Sequence, residues 1–141
     1  MRLNRATDFA IRVLMFLAAE DEPASIDKIA DILGLAKSNT MKIVARLSTE
    51  GIVTAQRGRG GGVSLKTPAD KISIGTIVRL FETDFAIVDC FNPKAETCAY
   101  EPRCALKHKL NQATQAFLTT LDEALLSDIV SNSQKPIRQL G

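Results

Sequence analysis

One stretch limits the possible folds more than any other: two short apolar-periodic segments separated by Gly34, then Arg57-Gly58-Arg59-Gly60-Gly61-Gly62 set between β-prone runs. Ser25 is placed to cap a helix, with Asp27 in its first turn and Ile26, Ile29, Ala30 and Leu33 at helical spacing. Gly34 is placed to end it as a left-handed residue. A further helix is expected from Lys37 to Thr49, with Met41, Ile43, Val44 and Leu47 as its core side and Gly51 as its end. Two short helices joined by a tight glycine-containing turn make a helix-turn-helix. Residues 52–56 and Val63-Ser64-Leu65 then read as a hairpin whose flexible tip carries two arginines. The expected fold is mostly α with a small β-hairpin wing, a winged helix-turn-helix.

A helix over 7–19, capped by Thr7 or Asn4, precedes this unit and carries Asp8 in its first turn, where the helix dipole favours a carboxylate. After it, Ser73 is placed to cap a helix to about Thr83, with Ile74, Ile77, Val78 and Phe81 inward. Residues 84–103 have no period and contain Pro93 and Pro102, so a loop is expected. From Cys104 to about Ala124, Leu106, Leu110, Ala113, Phe117, Leu121 and Leu125 draw one stripe along a long helix. Such a stripe outside a small domain is expected to pack on a second chain. Leu126 to Val130 extends or re-angles that helix. The expected organisation is a DNA-binding domain over 1–83, a cysteine loop over 84–103, a dimerisation helix over 104–131 and a flexible polar tail over 132–141.

In a helix-turn-helix, the start of the second helix reaches base edges in the major groove. Here that helix offers Lys37, Ser38, Asn39, Thr40, Lys42 and Arg46. Arg57 and Arg59 on the wing suit a minor groove, where negative potential is strongest. The net charge of +2 is modest, but residues 1–66 hold ten Lys/Arg against seven Asp/Glu, so the positive excess lies in the DNA-reading half. Sparse aromatics and the absence of Trp argue against a stacking platform for single strands. With one histidine, no phosphate-cradling loop and no paired nucleophile and base, no enzyme is expected. No apolar run is long enough for a membrane span, and the start lacks the apolar core of a secretory signal, so a cytoplasmic protein is expected.

All three cysteines fall within fifteen residues, as Cys90-x7-Cys98-x5-Cys104. Lys94, Arg103, Lys107 and Lys109 lie near them in sequence and favour thiolate. Thiolates in a loop suit an iron–sulfur cluster, which wants four ligands. His108, one helical turn after Cys104, would instead complete a Cys3His zinc site. A redox pair and three unrelated loop thiols are further readings, and the spacing alone does not choose among them.

Met1-Arg2-Leu3, Thr7-Asp8-Phe9-Ala10, the wing Arg57-Gly58-Arg59-Gly60-Gly61-Gly62-Val63, Ile74-Gly75 and the cysteine spacing together resemble the bacterial family containing NsrR, IscR and RirA. The resemblance spans residues 1 to about 130. It implies a homodimeric winged-helix repressor that binds near-palindromic double-stranded DNA and holds an iron–sulfur cluster, [4Fe-4S] in the first instance and [2Fe-2S] as the alternative. It also implies that Cys90, Cys98 and Cys104 are ligands. In NsrR-type members the fourth ligand resembles the aspartate of the Thr-Asp-aromatic motif, which makes it Asp8 of the partner subunit here. In IscR-type members a histidine follows the third cysteine by three residues; His108 follows Cys104 by four, so Asp8 is the better match. The Thr-Asp motif and Ile74-Gly75 lean toward the nitric-oxide-sensing NsrR type. An iron-responsive RirA type and a zinc-stabilised regulator without cluster sensing are the alternatives. The family often has Ser or Thr where this chain has Ala36, so Ser38 is expected to cap a helix that starts later.

Overall fold

The local signals above resolve into the expected order of elements. The computed structural model describes residues 2–133, and the tail from residue 134 onward lies outside them. The elements are α1 (Arg5–Ala18), α2 (Ile26–Leu33), α3 (Lys37–Thr49), β1 (Val53–Gln56), β2 (Gly62–Leu65), α4 (Ile74–Phe81), α5 (Ala105–Glu123) and α6 (Leu126–Ser131). The fold is a winged helix-turn-helix followed by a long C-terminal helix.

Asn4, not Thr7, caps α1: its side chain accepts the Thr7 backbone N–H at 2.9 Å, and the helix therefore starts before Thr7. Thr7 is buried instead, and its hydroxyl donates to Glu82 Oε1 at 2.5 Å. Ser25 and Ser73 cap α2 and α4 as expected. Ser38 does not cap α3. That helix begins at Lys37 behind Ala36, which makes no side-chain capping bond. Trading a hydroxyl for a methyl at such a position typically forfeits about 1 kcal/mol.

The core side of α3 is Thr40, Ile43, Val44 and Leu47. Met41, expected inside, is 54% exposed. Thr40 tolerates burial because its hydroxyl donates to the Ala36 carbonyl at 3.2 Å.

The wing pairs β1 and β2 antiparallel, from Val53 opposite Leu65 to Gln56 opposite Gly62. Two backbone bonds between Ala24 and Val63, of 2.9 and 2.8 Å, tie it to the α1–α2 connection. Gly62 is required there: its φ is +149°, and a Cβ would stand 3.0 Å from the Ala24 backbone.

α4 ends at Phe81, and α5 crosses it so closely that a Cβ on Gly75 would meet the Asp122 backbone nitrogen at 2.7 Å. Arg79 and Asp122 form an ion pair at the same crossing. The chain then re-angles. Ile74 N–H donates to Ala124 O at 2.8 Å and Leu126 N–H to Ile72 O at 2.9 Å, which seats α6 on the winged-helix core with Leu126 fully buried. One cluster of buried side chains runs from Ala10 through Phe16, Leu47 and Ile77 to Leu118 and Leu126. Leu118 is the buried anchor of α5, whereas Leu106 and Phe117 of the expected stripe are exposed.

Candidate DNA interface and cysteine segment

Lys37, Ser38, Asn39 and Lys42 all lie exposed on the first half of α3. Lys37 Nζ pairs with Asp27 Oδ1 at 2.8 Å, but both side chains are mostly in water. Exposed pairs of that kind contribute at most about 1 kcal/mol, so the lysine can exchange partners cheaply. Thr40 does not belong to this surface, whereas Arg46 is exposed. Thr40 is buried. Arg46 folds back, donating to the Leu80 carbonyl and lying 4.9 Å from the Phe81 ring centroid. Arg57 and Arg59 are exposed at the wing tip.

The end of α4 joins three parts of the chain. Glu82 Oε1 accepts the Asn4 backbone N–H at 2.9 Å as well as the Thr7 hydroxyl, and Asn4 Nδ2 donates to Phe81 O at 2.8 Å. Arg46 brings α3 to the same turn, and the cysteine segment starts directly after it. Residue spacing gave no sign of this junction, because its partners are more than thirty residues apart.

The three cysteines are free and half-buried. Cys90 sits in a 3-10 turn at Asp89–Phe91, and Cys104 caps α5, its sulfur accepting the Lys107 N–H at 3.4 Å. Lys107 forms an ion pair with Glu101. Its ammonium is held above the ordinary lysine value, first by the hydrogen bond it donates to Glu101. Loss of water contact pulls the other way, and negative charge on Glu101, Cys90 and Cys104 adds to the rise. A groove of about 660 Å³ brings Cys90, Lys107 and His108 together with Phe85, Asn111 and Leu118. Cys98, Cys104 and Asp8 do not line it. Among the described residues, no three His, Cys, Asp or Glu side chains are gathered so as to hold a metal ion. Asp8 lies on the first turn of α1, gripped by Arg12 through bonds of 3.1 and 2.8 Å and still about half exposed.

A family model called Rrf2, described as an iron-dependent transcriptional regulator, matches residues 3–132. The chain belongs to the Rrf2 family. It is 42% identical, over 99% of its length and 97% of the relative's, to the HTH-type transcriptional regulator NsrR of Bacillus subtilis (strain 168). Identity to the NsrR regulator of Oceanobacillus iheyensis is 36%, over 100% of this chain and 97% of that one. Among solved structures, CymR (YrzC), the global cysteine regulator of B. subtilis, superposes with a TM-score of 0.79 at 23% identity, over 95% of this chain and 99% of that one. T. potens IscR superposes at 0.76 and 20% identity, over 95% and 89%. These two likenesses carry the fold alone. As a member of the Rrf2 family with NsrR-named relatives along its whole length, the chain is a DNA-binding transcriptional regulator. Among its described residues no helix is long and apolar enough to cross a membrane.

Proposed function

We propose that this Rrf2 protein is a homodimeric repressor whose affinity for a near-palindromic operator is set by an iron–sulfur cluster, with nitric oxide as the signal. The carrying observation is the donor set: three free, half-buried thiols on one segment that opens directly from the turn fastening α1 and α3. Cys90, Cys98 and Cys104 would hold the cluster, with Asp8 of the partner subunit as fourth ligand and His108 as the alternative. The donors suit iron–sulfur chemistry, since thiolate is its usual ligand and these thiols are neither sealed in the core nor paired. Cys90, Cys98 and Cys104, with Asp8 of the partner subunit, would hold a [4Fe-4S] cluster, or [2Fe-2S] in the alternative, which would supply iron able to react with nitric oxide. A carboxylate is the weakest of the four donors, and Asp8 is accessible enough to exchange Arg12 for another partner. In this reading residues 1–83 read DNA, 84–103 hold the cluster and 104–131 dimerise, using the exposed Leu106 and Phe117. The full-length likeness to NsrR-named regulators supports nitric oxide as the signal.

Protein purified without oxygen is expected to be brown, with iron and acid-labile sulfide, and to lose duplex affinity by roughly 100-fold on titration with nitric oxide. A colourless preparation that binds the duplex equally well and ignores nitric oxide would overturn the proposal. The family description, iron-dependent, favours one second reading, in which iron supply is itself the signal. Iron chelation that releases DNA while nitric oxide does not would establish that reading. Iron and zinc analysis of the same sample separates both from a zinc-stabilised regulator.

The fourth ligand has its own test. Asp8→Ala is expected to change the visible spectrum of the brown protein, and His108→Ala to leave it nearly as it was. The opposite pattern would assign the histidine.

A further inference from the structure

Met41 stands on the DNA-reading surface with no structural task. It is 54% exposed, and it is neither in the core nor among the half-buried side chains packed against it. The other exposed large apolar residues among those described are Ile87, Tyr100, Leu106 and Phe117, which all lie in the cysteine segment or on α5. Met41 is therefore the single large apolar side chain presented by the helix-turn-helix and wing. Its neighbours on the helix surface are Lys37, Ser38 and Ala45, at spacings that share one exposed face of α3.

A scattered exposed methionine is ordinary. This one lies in the first half of the second helix of a helix-turn-helix, the part that approaches base edges. It is bracketed by Lys37 and Lys42, with Arg57 and Arg59 on the adjoining wing. A surface so charged fits a polyanion and not an apolar protein groove. Within a major groove the one methyl a base pair offers is at thymine C5, where cytosine has only a hydrogen, and the other recognition groups on the base edges are hydrogen-bonding donors or acceptors. Methionine is flexible and polarisable, so it can follow that methyl without fixed geometry.

We infer that Met41 is a specificity-determining residue of this regulator, recognising a thymine methyl in each half-site. The inference rests on α3 being the helix that enters the major groove. Lysines on the same face add affinity without sequence preference, because phosphates are alike along the duplex. Met41 adds preference at one base pair.

The test begins with selection from a randomised duplex library by the full-length, anaerobically purified protein. Each thymine of the enriched duplex is then replaced by deoxyuridine, which removes the methyl alone. Wild-type protein is expected to lose roughly three- to five-fold in affinity at one thymine per half-site, the loss of one buried methyl. Met41→Ala is expected to lose about as much on the unmodified duplex and little more when that methyl is removed. Met41→Gln, which keeps the length but not the apolar character, should behave as Met41→Ala does. Wild-type indifference at every thymine would overturn the inference, as would Met41→Ala retaining full methyl sensitivity. Failure of the library to enrich any sequence would overturn the placement of α3 and this inference with it. Circular dichroism of the variants should be unchanged, since the side chain holds nothing in the core.

Discussion

Replacing Glu82 by Ala is expected to lower the unfolding free energy by about 2–4 kcal/mol and the melting temperature by roughly 10 °C. One carboxylate oxygen receives both the Thr7 hydroxyl and the Asn4 backbone N–H. Thr7 is fully buried, so removing its acceptor strands a hydroxyl where water does not reach, a loss of about 1–3 kcal/mol. The second bond to the charged oxygen adds to that. Glu82→Gln keeps an acceptor oxygen and should cost about half as much. The mechanism makes a sharper demand through the double variant Thr7→Val/Glu82→Ala. Valine has the shape of threonine without a polar atom to strand, so the double variant should recover part of the stability lost by Glu82→Ala alone. Urea unfolding of the four proteins measures the cycle. Simple additivity would mean that Thr7 is not held by Glu82 in solution. The functional weight of this lock lies in what meets there. It fixes the first turn of α1, which carries Asp8, to the turn that also receives Arg46 of α3 and opens into the cysteine segment.

What was readable in the sequence was decided within a few residues. Ser25 and Ser73 bond N–H groups three positions ahead, Gly34 turns left-handed at once, and the glycine run forces a hairpin between two β-prone stretches. What was not readable depended on partners far along the chain. Helical period marks Thr40, Met41, Ile43 and Val44 as neighbours, but cannot say which way α3 is rotated against α1. Seating Thr40 inward takes Met41 out. The same ambiguity runs along α5, where adjacent Phe117 and Leu118 differ by about 100° of helix rotation and Leu118 is the one buried. Arg46 is exposed on α3 as its spacing implies, but its bond to the Leu80 carbonyl and its place over the Phe81 ring depend on a partner more than thirty residues away. The cysteine spacing named three candidate donors, yet within one chain only Cys90 reaches the groove that His108 lines, and Asp8 stays with Arg12 on α1.

Removing both wing arginines, as Arg57→Ala/Arg59→Ala, is expected to weaken duplex binding by roughly 100-fold, about 2.7 kcal/mol, and to leave iron content and melting temperature unchanged. The fold does not depend on either side chain. The hairpin is set by its Val53–Leu65 to Gln56–Gly62 register and by the Ala24–Val63 bonds, while both arginines stand in water beyond the strands. We propose that their contribution falls on DNA. If each neutralises a phosphate or enters a narrow minor groove, the slope of log affinity against log salt should fall by roughly two in magnitude. The paired substitution Arg57→Lys/Arg59→Lys separates charge from shape. Lysine keeps the charge and hence most of the salt slope, but lacks the planar fork, so a large remaining loss of affinity would assign the arginines to groove geometry. Loss of iron or of melting temperature together with DNA binding would make the wing a structural element. Undiminished affinity would take it off the DNA altogether and leave α3 to carry the duplex alone.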